Sequence, residues 1–142
     1  MNVVLLMGLP GAGKSTYAAS NFHDYYIVNQ DTLGSREACI KEVSRLLDNR
    51  SNVVIDRTNI NTQQRKYWID LALQYGANEV KCIFLNVPAE ECIARVVTRK
   101  GHATISEEMP VDKKREIVYK FHSMLELPLL EEGFSEIVMR RN

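Results

Sequence analysis

Apolar residues in this chain cluster in short runs rather than alternating with polar ones. The segments VVLLM (3–7), YIVN (26–29), NVVID (52–56), KCIFLNV (81–87) and SEIVM (135–139) have strand length. Most are continuously apolar, as parallel strands covered on both faces must be. Between them, apolar residues recur at helical spacing and predict helices over 14–21, 36–48, 62–75, 88–99 and 111–126. Several boundaries carry the expected punctuation. Ser35 and Asn61 or Thr62 suit N-cap positions, Pro88 with Glu90 and Glu91 suits a first turn, and Gly76 suits the residue past a helix end. Strand–helix alternation of this kind predicts a three-layer α/β fold with a parallel sheet of about five strands. Ligands in such sheets bind beyond the carboxyl ends of the strands.

One of those ends is the stretch IVNQDTLGS, Ile27 to Ser35, which places Asp31 where a buried strand meets a loop. Two roles fit: a side chain capping the next helix, or a carboxylate that deprotonates a substrate.

Composition narrows the class. A chain of 142 residues, 45% hydrophobic and 25% charged, is expected to form one soluble domain over 1–142, with neither repeats nor a linker. Eighteen acidic residues balance eighteen Lys and Arg. That excludes coating of long nucleic acid by bulk charge, and leaves room for a local basic cleft. Only a few residues, among them Arg36, Arg57 and Lys100, are then available to contact substrate phosphates. The run MNVVLLMG is too short for a membrane span and lacks a basic flank. Cys39, Cys82 and Cys92 are odd in number and widely spaced, which suits buried packing better than disulfides or zinc. The expected location is the cytoplasm, or the host cytoplasm for a viral protein, without membrane contact; assembly with further copies of the chain stays open.

The strongest chemical signal is GLPGAGKST, Gly8 to Thr16, which matches G-x-x-x-x-G-K-[ST] directly after an apolar run. Gly8, Gly11 and Gly13, with Ala12 between, let successive backbone N–H groups face one concavity, and the following helix adds its N-terminal dipole. The expected ligand is ATP with Mg²⁺, bound by the loop from Gly8 to Thr16: Lys14 on the β- and γ-phosphates, Ser15 on the metal, and Thr16 beside them as a further cofactor-binding residue. Asp56, at the end of NVVID, is a candidate second acid on the metal side; an Asx-turn with Thr58 is the plainer alternative. In ARVVTRKGH, Arg95 and Arg99 lie four apart near a helix end. They are either ordinary basic residues complementing the helix dipole or lid cations over the transferring phosphoryl group. His23, His102 and His122 have no ligand spacing around them. Tyr67 and Trp68, and the stripe Ile117, Phe121, Met124 and Leu125, read as packing residues.

In combination, GLPGAGKST, VNQDTLGS, VVIDRTN and VPAEECIARVVTRKG resemble the 5′-kinase domain of the polynucleotide kinase family, within the P-loop NTPase superfamily. The resemblance covers almost the whole chain. It implies a P-loop kinase fold with a helical lid, and a DNA or RNA 5′-hydroxyl end as substrate. It makes Asp31 the general base, Lys14 and Ser15 the phosphate- and Mg²⁺-binding residues, and Asp56 the second strand-end acid. It also makes Arg95 and Arg99 the lid pair. Two positions depart from the pattern. Phage-type members carry an arginine three residues after the base, where this chain has Gly34, and many relatives have arginine where this chain has Gln30. The companion phosphatase motif D-x-D-G-T does not occur in these 142 residues. A small-molecule kinase of zeta-toxin type is the alternative enzyme, and a nucleotide switch or ATPase the alternative class.

Overall fold

The computed structural model describes residues 1–98 and 108–141. Five strands, β1 (Asn2–Met7), β2 (Tyr26–Asn29), β3 (Val53–Asp56), β4 (Glu79–Leu85) and β5 (Glu136–Arg140), form one sheet in the order β2-β3-β1-β4-β5. Every pairing is parallel. The helices are α1 (Lys14–Asn21), α2 (Gln30–Leu33), α3 (Arg36–Asp48), α4 (Thr62–Gln74), α5 (Ala89–Thr98) and α6 (Val111–Met124).

The continuous apolar runs have a direct structural reading. Successive side chains of a strand point to opposite faces, so a strand with helices on both sides buries every residue. In β1, Val3, Leu5 and Met7 pack with Cys39, Val43 and Leu47 of α3 and Trp68, Ile69 and Ala72 of α4. Val4 and Leu6 face the other way, toward Ala18 of α1, Cys92, Ile93 and Val96 of α5 and Val118 of α6. Each such fully buried Leu or Ile side chain is worth about 1.5–3 kcal/mol.

Most predicted boundaries fall within two residues of the observed ones. Ser35 and Asn61 cap α3 and α4, accepting from Ala38 N and Gln64 N. β4 lies at 79–85 rather than 81–87, because the chain turns at Asn86, with Val87 N donating to the Leu85 carbonyl at 3.0 Å. The short helix α2 and a 3-10 turn over Leu130–Glu132 were not predicted. The helix predicted to 99 is described to Thr98, and the rest of the expected lid, with Arg99, Lys100 and His102, lies outside the described residues. Among the described residues no helix is long and apolar enough to cross a membrane.

Candidate active site

The carboxyl ends of β1, β2 and β3 open onto one cavity of about 280 Å³. Pro10, Gly11, Gly13, Lys14 and Ser15 line it from the loop after β1. Asn29, Gln30 and Asp31 contribute from the end of β2, and Asp56, Arg57 and Thr58 from the end of β3.

The loop after β1 owes its shape to close approaches. Gly11 sits at φ 88, and a Cβ there would come within 2.5 Å of the Cys92 carbonyl and 2.8 Å of Val96 Cγ2. Only glycine lets the loop rest against α5 in that conformation. Gly13, also left-handed at φ 94, stands at the N-cap of α1 without a side-chain cap, so its helix start presents bare N–H groups. The Lys14 ammonium donates to the Gly8 and Leu9 carbonyls at 3.1 and 3.0 Å. Gly8 N donates to Thr58 O at 3.1 Å, joining this loop to the end of β3.

Ser15 and Asp56, 41 residues apart, meet here: Ser15 Oγ donates to Asp56 Oδ2 at 2.7 Å. Asp56 is 5% exposed. Its carboxylate also accepts from Asn29 Nδ2 at 2.9 Å, so it faces Ser15 and Asn29 rather than acting as a lone turn residue. Parallel register explains the meeting, since Asn29 and Asp56 are Cα partners at the last rung of β2 and β3. Asn29 was not a predicted site residue. A polar residue ending an apolar run was its signal, but the partner became visible only with the register.

Asn29 also bears on the capping role read for Asp31. Its Oδ1 accepts from the Asp31 backbone N at 2.7 Å, so Asn29 is the cap of α2 and Asp31 is not. Asp31 is exposed on the first turn of α2 and lines the same cavity as the phosphate loop. Gly34 closes α2 at φ 91.

Arg95 lies on the other flank of the loop, its Nη1 donating to the Ala12 carbonyl at 3.1 Å and the Gly11 carbonyl at 3.4 Å. With Ala12, Thr16, Tyr17, Ser20, Asn21 and Thr98 it lines a second cavity of about 560 Å³. Phe121, predicted as packing only, also lines the first cavity. Arg65 was not singled out. It is 0% exposed and paired with Glu132 at 2.9 Å, and its Nη1 donates to the Asn59 carbonyl at 2.9 Å and toward Met7 Sδ. Asn59, left-handed at φ 47 and buried, donates in turn to the Leu6 carbonyl. The three cysteines are buried packing residues. Burial pushes the Cys82 thiol up to about 12 and raises Cys39 and Cys92 as well.

An AAA-domain family model matches residues 3–128, taking in the phosphate loop and the ends of β2 and β3. The chain belongs to this P-loop AAA-domain family. A bifunctional polynucleotide phosphatase/kinase from Schizosaccharomyces pombe is 36% identical over 95% of the chain. The chain spans about a third of that relative's length, 32%. Among solved structures, one titled a Pnkp1/Rnl/Hen1 complex aligns with a TM-score of 0.58 and 26% identity, covering 71% of this chain and 41% of that one. A gluconokinase from Sinorhizobium meliloti aligns with a TM-score of 0.65 over 97% of this chain and 81% of its own, at 19% identity, which shows the shared fold. The family match makes this chain a P-loop domain, and the relatives and neighbours that it resembles include kinases.

Proposed function

We propose that this protein is a kinase that transfers the γ-phosphate of ATP to the 5′-hydroxyl end of DNA or RNA. The observation that carries the reading is the placement of Asp31. It lines the same cavity as Lys14 and Ser15, on a helix whose cap is another residue. A carboxylate lining the same cavity as a phosphate-binding loop suits a base that receives the acceptor's proton. In the proposed reaction the 5′-oxygen loses its proton to Asp31 as it bonds to the γ-phosphorus. The bond from phosphorus to the bridging oxygen breaks, and ADP departs. Lys14 and the N–H groups of the loop hold the phosphate oxygens where charge shifts.

The donor set Ser15 and Asp56, a hydroxyl 2.7 Å from a carboxylate at the cavity wall, offers hard oxygen ligands and fits Mg²⁺. Asn29 holds that carboxylate in place. Bound there, the metal would neutralise phosphate charge. On the other flank, the polar cavity beside Arg95 suits the nucleoside end of the donor. Arg99 takes its lid role from the family resemblance alone.

The test is γ-labelled ATP with 5′-hydroxyl oligonucleotides, DNA and RNA, single-stranded and with overhangs, beside 5′-phosphorylated controls. Metal-dependent labelling of the free 5′-hydroxyl ends alone is expected. Consumption of ATP with every oligonucleotide unlabelled defeats the assignment, and labelling of a sugar alcohol instead moves the chain to the small-molecule kinases.

A further inference from the structure

The two edges of the sheet are finished differently. β5 closes one edge with Glu136 and Arg140 in the strand and Arg141 after it, and charge of this kind discourages pairing at an open edge. β2, with the sequence YIVN, closes the other edge without a charge, a proline or a bulge. Tyr26 donates its N–H to the Asn52 carbonyl at 2.9 Å, on the β3 side. Successive residues of a ladder aim their backbone groups to opposite sides, so the N–H and carbonyl of Ile27 face outward, where no strand lies. Tyr26 is 60% exposed and Ile27 42%, a large apolar surface for so short an edge.

A groove of about 270 Å³ runs beside this edge, between β2, α2 and α3. Val28, Leu33 and Leu46 give it an apolar lining. Glu42 and Arg45 of α3 line it as well, with Arg45 Nε donating to Glu42 Oε1 at 2.7 Å. Tyr26 and Val28 are two residues apart on one strand and so share the face covered by α3, where Val28 packs with Val43 and Leu46 and Tyr26 joins the groove.

Whatever covers this edge must be extended, must offer an N–H and a carbonyl opposite Ile27, and must carry an apolar side chain opposite Val28 on the α3 face. The edge itself meets all three conditions. We propose that β2 is a homodimer interface, paired antiparallel with β2 of a second copy about a two-fold axis at Ile27. The two Ile27 residues then form a hydrogen-bonded pair, each donating its N–H to the carbonyl of the other. Tyr26 of each copy stands opposite Val28 of the other, on the same face, and its exposed ring enters the groove beside Leu33 and Leu46. Each α3 meets its copy antiparallel across the axis, so Glu42 and Arg45 approach Arg45 and Glu42 of the second copy, opposite charge to opposite charge. An interface made from the same patch twice has to be self-complementary in this way. The pairing also sets residue 25 of the second copy opposite Asn29, beside α2, the short helix that buries no residue of its own.

Sedimentation equilibrium of the wild type over a dilution series, without nucleotide or nucleic acid, should fit a monomer–dimer equilibrium. Tyr26→Ser, on a mostly exposed side chain, should raise the dimer Kd at least about 10-fold, as loss of a central aromatic anchor does. Arg45→Glu should raise it by setting like charges across the axis, and the double variant Glu42→Arg, Arg45→Glu should restore the dimer. Ile27→Cys puts the two Cα atoms of a hydrogen-bonded pair about 5.5 Å apart, within disulfide range, so mild oxidation should yield a covalent dimer. The three native cysteines are buried, so the wild type should yield none. Melting temperatures close to the wild type show that a variant has lost association and not its fold; should Tyr26→Ser fold poorly, the cross-link stands as the test. A wild type that stays monomeric at every concentration, with Ile27→Cys left uncrosslinked, overturns the proposal. Binding of a free DYYIVNQ peptide by such a monomer would assign the edge to a strand of another protein. A dimer that none of these variants weakens, and that Ile27→Cys does not capture, uses a different surface and overturns the proposal as well.

Discussion

On the donor rim of the cavity, the phosphate loop hangs from the central strand β1 and is pinned from below. Gly8 bonds to Thr58, Asn59 bonds back to Leu6, and the buried Arg65 ties the Asn59 carbonyl to Glu132. On the acceptor rim, Asp31 stands on the four-residue helix α2, which buries no residue and follows the edge strand β2. The contrast follows from what each rim handles. A triphosphate presents the same oxygens at every turnover, so rigid preorganised donors serve it best. In the proposed reading, acceptor recognition sits where buried contacts are few and local stability is low, so its residues can change without unfolding the core. Gly34 and Gln30, the two departures from the family pattern, both lie on or beside α2.

The largest effect expected from this contrast is on the donor rim. Arg65→Ala would leave the Glu132 carboxylate and the Asn59 carbonyl without their buried partner, at a cost of roughly 3–5 kcal/mol. Thermal unfolding should fall by about 10–15 °C, with ATP binding weakened alongside. A shift of a degree or two would show that the pinning contributes little. Next comes Asp31→Asn, which should cut single-turnover phosphorylation by about 10²- to 10⁴-fold with a melting temperature close to the parent. Asp31 is exposed and its backbone N is held by Asn29, so stability has little to lose. Retained turnover would mean that the acceptor hydroxyl is activated by another group. Asn29→Ala bridges the two rims: it removes the cap of α2 and the hydrogen bond that its amide donates to Asp56 together. Roughly 1 kcal/mol of stability should go. Turnover should fall more than that loss implies, and recovery at higher Mg²⁺ would place the defect at Asp56.

The smallest effect concerns the packing core beneath both rims. Cys82, raised to about 12 by burial, should resist alkylation in the native protein at pH 8 and react once unfolded. Because folding raises this pKa, the stabilising contribution is full below the ordinary value of 9.0 and is lost as pH rises through about 12. Rapid native-state labelling of Cys82 would show that the sheet opens locally.

What could be read from the sequence follows the same division. The strands and the phosphate loop were legible because they rest on local pattern: runs such as VVLLM and a motif of fixed spacing. Ser15 and Asp56 were both named as metal-side candidates, but their 2.7 Å contact depends on β3 lying beside β1. Asn29 needed the register of β2 against β3, and helix α2 was hidden because four residues carry no helical period. Arg65 was invisible for another reason. An arginine in the polar-looking string TQQRKYW reads as solvated until Glu132, 67 residues away, is placed beside it.

That separation also orders events during synthesis of the chain. At about 5–20 residues per second, the 67 residues between Arg65 and Glu132 take roughly 3–13 s to add. During that interval β1, β3 and β4 can already pair, but the guanidinium that locks the Asn59 turn has no carboxylate to meet. The phosphate loop precedes Arg65 in the chain, yet its support is completed only by a turn made 67 residues after that arginine. A nascent chain should therefore gain tight nucleotide binding late, when residue 132 has emerged and folded back.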